Sequence, residues 1–597
     1  MPKKIVPIKY TSRDYNSIKE DLINHAKRYY ANTYKDFSEA SFGSLMLDSV
    51  AYIGDVLSFY LDYQANESFL HSAIEYDNVV NLSRQLGYKF KGPPSSHGVA
   101  TFFVLIPANG TGNGVEKAYM PILLKGSEFT SVGGNNFILT ENVHFSNSNN
   151  EIVVARVDQT SGLPTYFAVK AYGRVVSGKM VQDEIEIGEF QKFLKVKLAG
   201  ENIAEIVSVV DSNGREYFEV PYLSQNVIYK ELYNSGADSD SAKSILKPVV
   251  VPRRFVVEQL KEQTYLQFGY GSTDELTTDS VAEPNRVILN MHGRNHITDE
   301  FLDPAKLVAT DKFGVVPADV TLFVVYRQNT SDSVNASVET LSIVSRPKIK
   351  FLDIANLDQS IVQFVMGSLE VTNESPITGD VSLPSAEELK RLAMDTFATQ
   401  NRAVTRQDYI STVYSMPPQF GAIKRCNIVQ DSDSFKRNLN LYIVSENADG
   451  TLTATPDIIK ENLKIWLNKN RMVHDTIDIL DAHIVNLGID FVIIGASETN
   501  KFDVLNSAIT ALKSAFLVEP DVGEPFYLTD VYKVLKDVPN IIDVIDVKIV
   551  NKTGGSYSAL NLNIDNALSP DGRYVTVADN VIWEIKFPSS DIQGTIK

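Results

Sequence analysis

The chain has 597 residues, of which 44% are apolar and 22% charged, a composition typical of a globular protein with several domains. Its net charge of −18, from 74 acidic and 56 basic residues, argues against nucleic acid as a partner. Cys426 is the single cysteine, which excludes an internal disulfide and a cysteine-based structural zinc site and suits a reducing cytoplasm. The basic N-terminus lacks the continuous apolar stretch of a signal peptide.

The N-terminal region is predicted to form three helices. The first covers about residues 13–30, with Thr11 or Ser12 as its cap, and the third covers about residues 74–86. Between them lies the segment 42–63, FGSLMLDSVAYIGDVLSFYLDY. Apolar residues cover far more of its circumference than the stripe of about 100° that a surface helix requires. We therefore expect this helix to be covered on several sides.

The polar residues of this central helix form one narrow stripe, made of Ser44, Asp48, Asp55, Ser58 and Asp62. An aspartate at the centre of a membrane costs about 2.5–3.5 kcal/mol on insertion scales, so three of them argue against a membrane span. A solvated face would explain the acidic stripe, and so would contacts of the aspartates with basic or hydroxyl groups of a partner helix. We favour a helix buried in a bundle to which other chains contribute.

Small residues in the middle of this helix support close packing. Ala51 and Gly54 would let a neighbouring helix approach its backbone. The flanks do not resemble those of a membrane helix, because no Lys or Arg occurs between Lys35 and Arg84.

The periodicity changes after the segment GPPSSHG at 92–98, where we place a domain boundary. Alternating or β-rich runs begin at Val99 and are separated by turn-forming stretches such as 109–114 and 211–214. The runs predicted as strands are 99–105, 152–157, 185–187, 194–198 and 321–327. The sequence therefore predicts a β-rich domain with long loops that extends to about residue 350.

Helices return at Pro384 and then alternate with strands, which is typical of small α+β or split βαβ units. Ser385 with Glu388, and Thr405 with Asp408, have the spacing of capping boxes. Further predicted helices begin at about residues 456, 503 and 529, and the predicted strands begin at about residues 439, 483, 541 and 574.

The predicted fold class is therefore α+β and multidomain. We expect an N-terminal helical arm at 1–92 that shares a bundle with partner chains, and a β-rich central domain with long loops at 93–350. An α+β domain at 351–480 is expected to make dimer or ring contacts, and a second α+β domain follows at 481–597.

Motifs for catalysis, metals or cofactors are weak. His292 and His296 have metal-ligand spacing, but HGRNH lacks the glutamate of HExxH and reads more naturally as a solvated loop. The glycine clusters at 109–114 and 268–273 lack the Lys-Ser/Thr of a phosphate loop and predict turns. The segment DSDS at 431–434 lacks the glycine and glutamate of a calcium loop and predicts a hairpin turn. We expect no enzyme activity and no catalytic, metal or cofactor-binding residues.

The segment SFGSLMLDSVAYIGDVLSFYLDYQANESFLHSA at 41–73 resembles the N-terminal signature of the inner wedge protein of contractile-tailed bacteriophage baseplates, in the baseplate J-like family. Phe59 departs from the pattern, where the family has Tyr. Weaker similarities lie at 82–96, 253–271, 378–393 and 401–413. The matching positions are Asp48, Ala51, Tyr52, Asp55, Leu57, Tyr60, Asp62, Asn66, Glu67, Phe69, Leu70 and Ala73.

This resemblance implies a structural protein of the virion. Members form homodimers, share a helical bundle with a larger wedge protein, and close into an inner ring around the central hub. Small wedge or sheath-initiator proteins link that ring to the first sheath layer, and rearrangement of the ring triggers sheath contraction. Assembly takes place in the cytoplasm of the bacterial host. The resemblance implies no cofactor, no nucleic acid and no membrane span.

Two alternatives remain at this point: a receptor-binding or glycan-binding tail protein, and a tail-associated glycan hydrolase. With 74 acidic residues, no particular carboxylate pair can be singled out for hydrolysis. For the wedge hypothesis, the predicted interface residues are Leu45, Met46, Asp48, Tyr52, Asp55, Val56, Leu57, Phe59, Tyr60, Asp62, Phe69 and Leu70.

Overall fold

A computed structural model describes the chain outside residues 1–13, 31, 34, 39–40, 89–91, 111–113, 161, 234–243, 260–262, 273–312, 332, 382–383, 432–437, 497–498 and 517–519. The fold is α+β and multidomain, as predicted, with helices first, a large β-rich region next and mixed elements at the C-terminal end. The chain divides into two compact units, residues 1–90 with 384–397 and residues 91–383 with 398–597. The finer division into four domains remains a prediction.

The helices are α1 (Tyr15–Tyr29), α2 (Phe42–Glu67), α3 (Tyr76–Gln85), α4 (Gln359–Gly367), α5 (Ala386–Thr399), α6 (Arg406–Tyr414), α7 (Asp457–Asn470), α8 (Lys501–Ala515), α9 (Leu528–Asp537), α10 (Ile564–Ala567) and α11 (Pro588–Asp591).

The strands are β1 (His97–Pro107), β2 (Ile122–Leu123), β3 (Glu128–Ser131), β4 (Asn136–Leu139), β5 (Val143–His144), β6 (Glu151–Val157), β7 (Pro164–Ser177), β8 (Lys179–Ile187), β9 (Lys195–Lys197), β10 (Ile203–Asp211), β11 (Glu216–Glu219), β12 (Val227–Tyr233), β13 (Ser244–Val250), β14 (Arg254–Gln259), β15 (Thr264–Phe268), β16 (Val320–Gln328), β17 (Leu341–Arg346), β18 (Ile349–Lys350), β19 (Glu370–Thr372), β20 (Arg425–Gln430), β21 (Asn438–Glu446), β22 (Leu452–Thr453), β23 (Thr476–Asp481), β24 (His483–Gly495), β25 (Phe526–Tyr527), β26 (Ile541–Lys552), β27 (Tyr574–Val575), β28 (Val581–Glu584) and β29 (Ile592–Ile596).

The first unit contains α1, α2, α3 and most of α5. Side chains just before α1 and α2 cap these helices. The Ser41 side chain accepts a hydrogen bond from the Ser44 amide, so α2 begins where the sequence predicted. The cap of α1 differs from the prediction, because Asp14 accepts from the Ser17 amide, and residues 11 and 12 lie outside the described residues.

The second unit is organised around two seven-stranded sheets. One has the order β17-β3-β4-β7-β1-β19, with β6 paired to β7, and the other has the order β8-β16-β10-β11-β14-β15-β9. The spine of the first is the antiparallel pair of β1 with β7, which is continuous from His97 opposite Val176 to Pro107 opposite Tyr166. Alternating residues of β1, including Phe102, Val104 and Ile106, are buried in the core below this sheet.

Two further four-stranded sheets carry the mixed part of this unit. One contains β20–β23, and in the other β24 pairs with β26, β28 and β29. Helix α7, which was predicted to begin at about residue 456, buries Ile459, Leu463 and Leu467 on one face against the first of these sheets. Helix α6 begins with the predicted capping box of Thr405 and Asp408.

Candidate assembly surface

Helix α2 is 26 residues long and buries only Ser44, Ala51 and Glu67. Ten of its large apolar side chains are at least 46% exposed: Phe42, Leu45, Met46, Val50, Tyr52, Ile53, Leu57, Phe59, Tyr60 and Leu61. We call these ten side chains the apolar face of α2. A soluble monomer rarely exposes so much contiguous apolar surface, and such a surface typically marks an interaction site.

The twelve predicted interface residues all lie on α2 or just after it, and none is fully buried. Those exposed are Leu45, Met46, Tyr52, Leu57, Phe59, Tyr60, Asp62 and Phe69, and those half-buried are Asp48, Asp55, Val56 and Leu70. Ten of these side chains lie on α2 and two lie just after it, and most of the twelve are accessible to another chain.

Helix α1 packs against the side of α2 that carries its small residues. A Cβ atom at Gly54 would lie 3.3 Å from the Cδ1 atom of Ile18, and Ala51 is completely buried. The prediction that small residues allow a helix to approach closely is confirmed, with α1 of the same chain as that helix. The apolar face lies outside this contact with α1, and its ten side chains remain exposed in the described part of the chain.

Asp48 of the polar stripe has a partner within the chain. The Nζ atom of Lys19 on α1 lies 2.8 Å from Oδ1 of Asp48. An open hollow of about 550 Å³ beside this ion pair is lined by Tyr15, Asp48, Ser49, Tyr52 and Ile53. Two predicted interface residues, Asp48 and Tyr52, thus line a recess large enough to accept side chains of another helix.

Glu67 holds the turn between α2 and α3, a role that the sequence did not reveal. Its carboxylate accepts hydrogen bonds from the Ile74 amide at 2.8 Å, from the Glu75 amide at 3.3 Å and from Nδ2 of Asn78 at 2.9 Å. These bonds lower the pKa of Glu67, with the Asn78 bond the largest cause. Ile74 and Glu75 precede the first residue of α3, and Glu75 provides no side-chain cap, so Glu67 fixes the turn that leads into the helix.

The residues of the family-like segment therefore divide into two groups. The buried group is Ala51, Glu67 and Ala73, which fix the shape of the first compact unit. We call this unit, residues 1–90 with 384–397, the helical unit. Tyr52, Leu57, Phe59, Tyr60 and Phe69 project outward. Only a structure separates these groups, because both lie within the same short stretch of sequence.

Helix α2 is also, within the described part of the chain, the one helix long and apolar enough to cross a membrane. Length and composition are weak indications, since a helix from a shared bundle passes the same test. The ion pair of Asp48 with Lys19 and the aspartates at 55 and 62 would place charges within the bilayer.

Several predictions about metal and loop motifs fall outside the described residues: His292, His296, the centre of the 109–114 cluster and most of DSDS. Strands β20 and β21 do flank DSDS as an antiparallel pair, as a hairpin requires. No group of three or more His, Cys, Asp or Glu residues that could hold a metal ion occurs among the residues that the structure describes.

Residues 14–85 match the family model for the N-terminal domain of a bacteriophage baseplate protein. This range begins at the cap of α1 and ends with α3. The predicted resemblance is thus confirmed for a baseplate N-terminal domain, and the narrower wedge family remains a proposal. No curated protein matched the chain.

Two solved structures are similar at low TM-scores. A chain of the six-fold symmetrised anti-feeding prophage baseplate has 9% identity and a TM-score of 0.26, covering 94% of this chain and 89% of that one. A chain of the type VI secretion system TssK-TssF-TssG baseplate subcomplex has 9% identity and a TM-score of 0.21, covering 72% of this chain and 96% of that one. Likeness at these scores does not establish a shared fold.

Proposed function

We propose that this protein is a structural subunit of a contractile phage tail baseplate, located in the virion and without enzyme activity. The observation that carries the proposal is the apolar face of α2, which lies inside the segment that matches a baseplate N-terminal domain. A face of this size requires cover, and helices of other baseplate chains would supply it.

The finer role is that of a wedge subunit. The chain dimerises, contributes α2 to a bundle with a larger wedge protein, and joins an inner ring around the hub. Small wedge or sheath-initiator proteins bind the outer side of the ring. The ring then relays the rearrangement that triggers sheath contraction. The single cysteine is compatible with assembly in the host cytoplasm.

The decisive experiment is to measure the solution mass of the full chain, alone and co-expressed with the other baseplate proteins of the same virus. We expect the chain to co-purify in a complex of fixed stoichiometry, and α2 to become protected from hydrogen exchange and proteolysis. A monodisperse monomer that does not change with any co-expressed baseplate protein would overturn the proposal.

A glycan-binding role has one observation in its favour. Phe193, Tyr270 and Phe313 form a cluster of rings whose centroids are 5.2–6.4 Å apart, and Phe193 is 47% exposed. Phe193 and Phe313 have positive φ angles of 54° and 55°, which are uncommon for phenylalanine and more frequent at functional sites. Flat ring faces of this kind can stack on sugars.

A glycan array separates the two functions. Binding that is lost in Phe193→Ala, while co-assembly through α2 is unchanged, would add a receptor function to the scaffold. If the array shows no signal with the full chain, the ring cluster has a packing role only.

A further inference from the structure

Strand β6, at the edge of the first large sheet, carries an unusual surface. It pairs with β7 and with no other described strand, and all seven of its residues are exposed. Ile152, Val153, Val154 and Val157 are between 44% and 53% exposed. An edge strand presents unpaired amides and carbonyls, and with aliphatic side chains it is a ready template for another strand.

The pairing with β7 contains two register shifts, one at Ala155 of β6 and one at Thr165 of β7, and the first sets which side chains share a face. Val154 lies opposite Phe167 and Arg156 lies opposite Tyr166, so Ala155 is an extra residue in β6. Such a bulge commonly protects an edge from pairing. Here it also has a geometric consequence, because it moves Arg156 to the other side of the strand.

Glu151, Val153 and Arg156 therefore lie on one face. Their partners on β7 are Lys170, Ala168 and Tyr166, which alternate along that strand and so point to one side. In a regular strand, Glu151 and Arg156 would point to opposite sides, since they are five residues apart. The Arg156 guanidinium also lies over the Tyr166 and Phe364 rings, at 5.9 and 5.6 Å from their centroids.

On this face, Glu151 lies on one side of Val153 and Arg156 lies on the other. Two antiparallel copies of the face are therefore complementary in charge. Two copies of β6 placed antiparallel across a two-fold axis at Val153 would oppose Glu151 of each copy to Arg156 of the other. On the reverse face, Ile152 would meet Val154 of the other copy. A two-fold interface requires this kind of self-complementarity, in which residue i meets j and j meets i.

We infer that the outer edge of β6 pairs with β6 of a second copy of this chain, in antiparallel register about Val153. The pairing extends the first large sheet across two chains. It does not depend on α2 or on the function proposed above. Five residues on each side bury well under the roughly 1,000 Å² of a stable interface, so association is weak in dilute solution. It strengthens where an assembly holds two copies side by side.

Disulfide trapping of the full chain tests this register. In the proposed pair, Val153 faces its own copy at a Cα separation of about 4.5–5.5 Å, which a disulfide can span. Val153→Cys should therefore form a covalent dimer under mild oxidation. The native thiol does not interfere, because Cys426 is buried and burial raises its pKa to about 12.

Val157→Cys is the matched control, with the same residue type on the same strand and 51% against 53% exposure. In the proposed register, residue 157 lies about 20 Å from its own copy, too far for a bond. We expect trapping at position 153 to be at least about tenfold faster than at position 157. Equal rates at the two positions would overturn the proposal.

Charge exchange tests the same register independently. In the Val153→Cys background, Glu151→Arg and Arg156→Glu should each slow trapping, because like charges then face each other twice. An equimolar mixture of these two variants should restore it as mixed dimers, since both opposing pairs become complementary. Variants that react as fast alone as in the mixture would refute the Glu151–Arg156 contact. Leu57→Asp should leave trapping unchanged, so failure here and failure of the α2 interface are distinguishable.

Discussion

In the helical unit, α2 leaves ten large apolar side chains at least 46% exposed, whereas the second unit, here called the β-rich unit, contains buried polar side chains that are fully hydrogen-bonded within the chain. Asn335 is the clearest of these. Its Nδ2 donates to the backbone carbonyls of Asp380 and Glu446 at 2.8 and 2.9 Å. Its Oδ1 accepts from Oγ of Ser96 at 2.6 Å and from the Asp380 amide at 3.0 Å.

The two units therefore differ in what they need from outside. Every hydrogen-bonding group of the Asn335 side chain is satisfied within the chain. In the helical unit, α1 covers only the side of α2 that carries Ala51 and Gly54. A unit with internal partners can fold alone, while a unit with an open apolar face gains most of its stability on assembly.

Leu57→Asp should have the largest effect, because it changes the apolar face of α2 in the helical unit. Leu57 is 56% exposed, so the free chain should fold normally. A charge in the centre of a shared bundle would be desolvated without a partner, and co-purification with baseplate proteins should be lost. Size-exclusion chromatography with light scattering measures this loss.

The matched control is Val473→Asp, which places the same charge on an apolar residue that is 89% exposed in the β-rich unit. Assembly should survive this change. If Leu57→Asp assembles as well as Val473→Asp, the apolar face of α2 is not the interface.

Asn335→Ala should instead destabilise the β-rich unit. The substitution removes the hydrogen bonds that Asn335 makes with the buried Ser96 hydroxyl and with the backbone groups of Asp380 and Glu446. We expect a loss of about 3 kcal/mol in the free energy of unfolding of the β-rich unit, measured by denaturant unfolding. Asn149→Ala, at an exposed position, is the control and should change it by less than about 0.5 kcal/mol.

Glu67→Gln should have a moderate effect that is confined to the helical unit. The neutral amide accepts the Ile74 and Glu75 N–H groups less well than the carboxylate, so their hydrogen-exchange protection should fall several-fold. The folded-state pKa of Glu67 is lowered, so the wild-type contribution is complete above the ordinary value near 4.5 and is lost as the pH falls through the lowered value.

The variant should therefore differ from the wild type at neutral pH and converge with it in acid. A difference that persists unchanged at acidic pH would show that the carboxylate charge does not hold this turn.

Local patterns were sufficient to predict much of the fold. Periodicity predicted the positions of α2, of the strand β1 and of the helix α7. The order of strands within sheets was not predictable, because β6, β4 and β1 all pair with β7 across separations that no local pattern encodes. Parallel pairs such as β24 with β29 have the same difficulty.

For the candidate site, the excess of apolar residues on α2 was visible in the sequence, and so was the role of Gly54. The identity of the helix against Gly54 was not, since Ile18 lies 36 positions earlier and an apolar residue on a helix does not indicate which neighbour it contacts. Glu67 was missed for a similar reason: its acceptor role depends on a turn that brings Ile74 and Asn78 back to it. Tertiary contacts of this kind override local propensity.

Lys19→Ala should have the smallest effect of these substitutions. Together with Asp48→Asn, it tests whether Asp48 of the polar stripe contacts a partner chain. The side chains of Lys19 and Asp48 are 25% and 30% exposed, so their ion pair should contribute less than about 1 kcal/mol to stability. If the pair only joins α1 to α2, Lys19→Ala and Asp48→Asn should lower the melting temperature equally and leave assembly intact. If Asp48 also meets a partner chain, Asp48→Asn alone should weaken co-purification. A partner contact would then explain why an aspartate borders the hollow beside Tyr52, where an apolar residue would otherwise extend the exposed face.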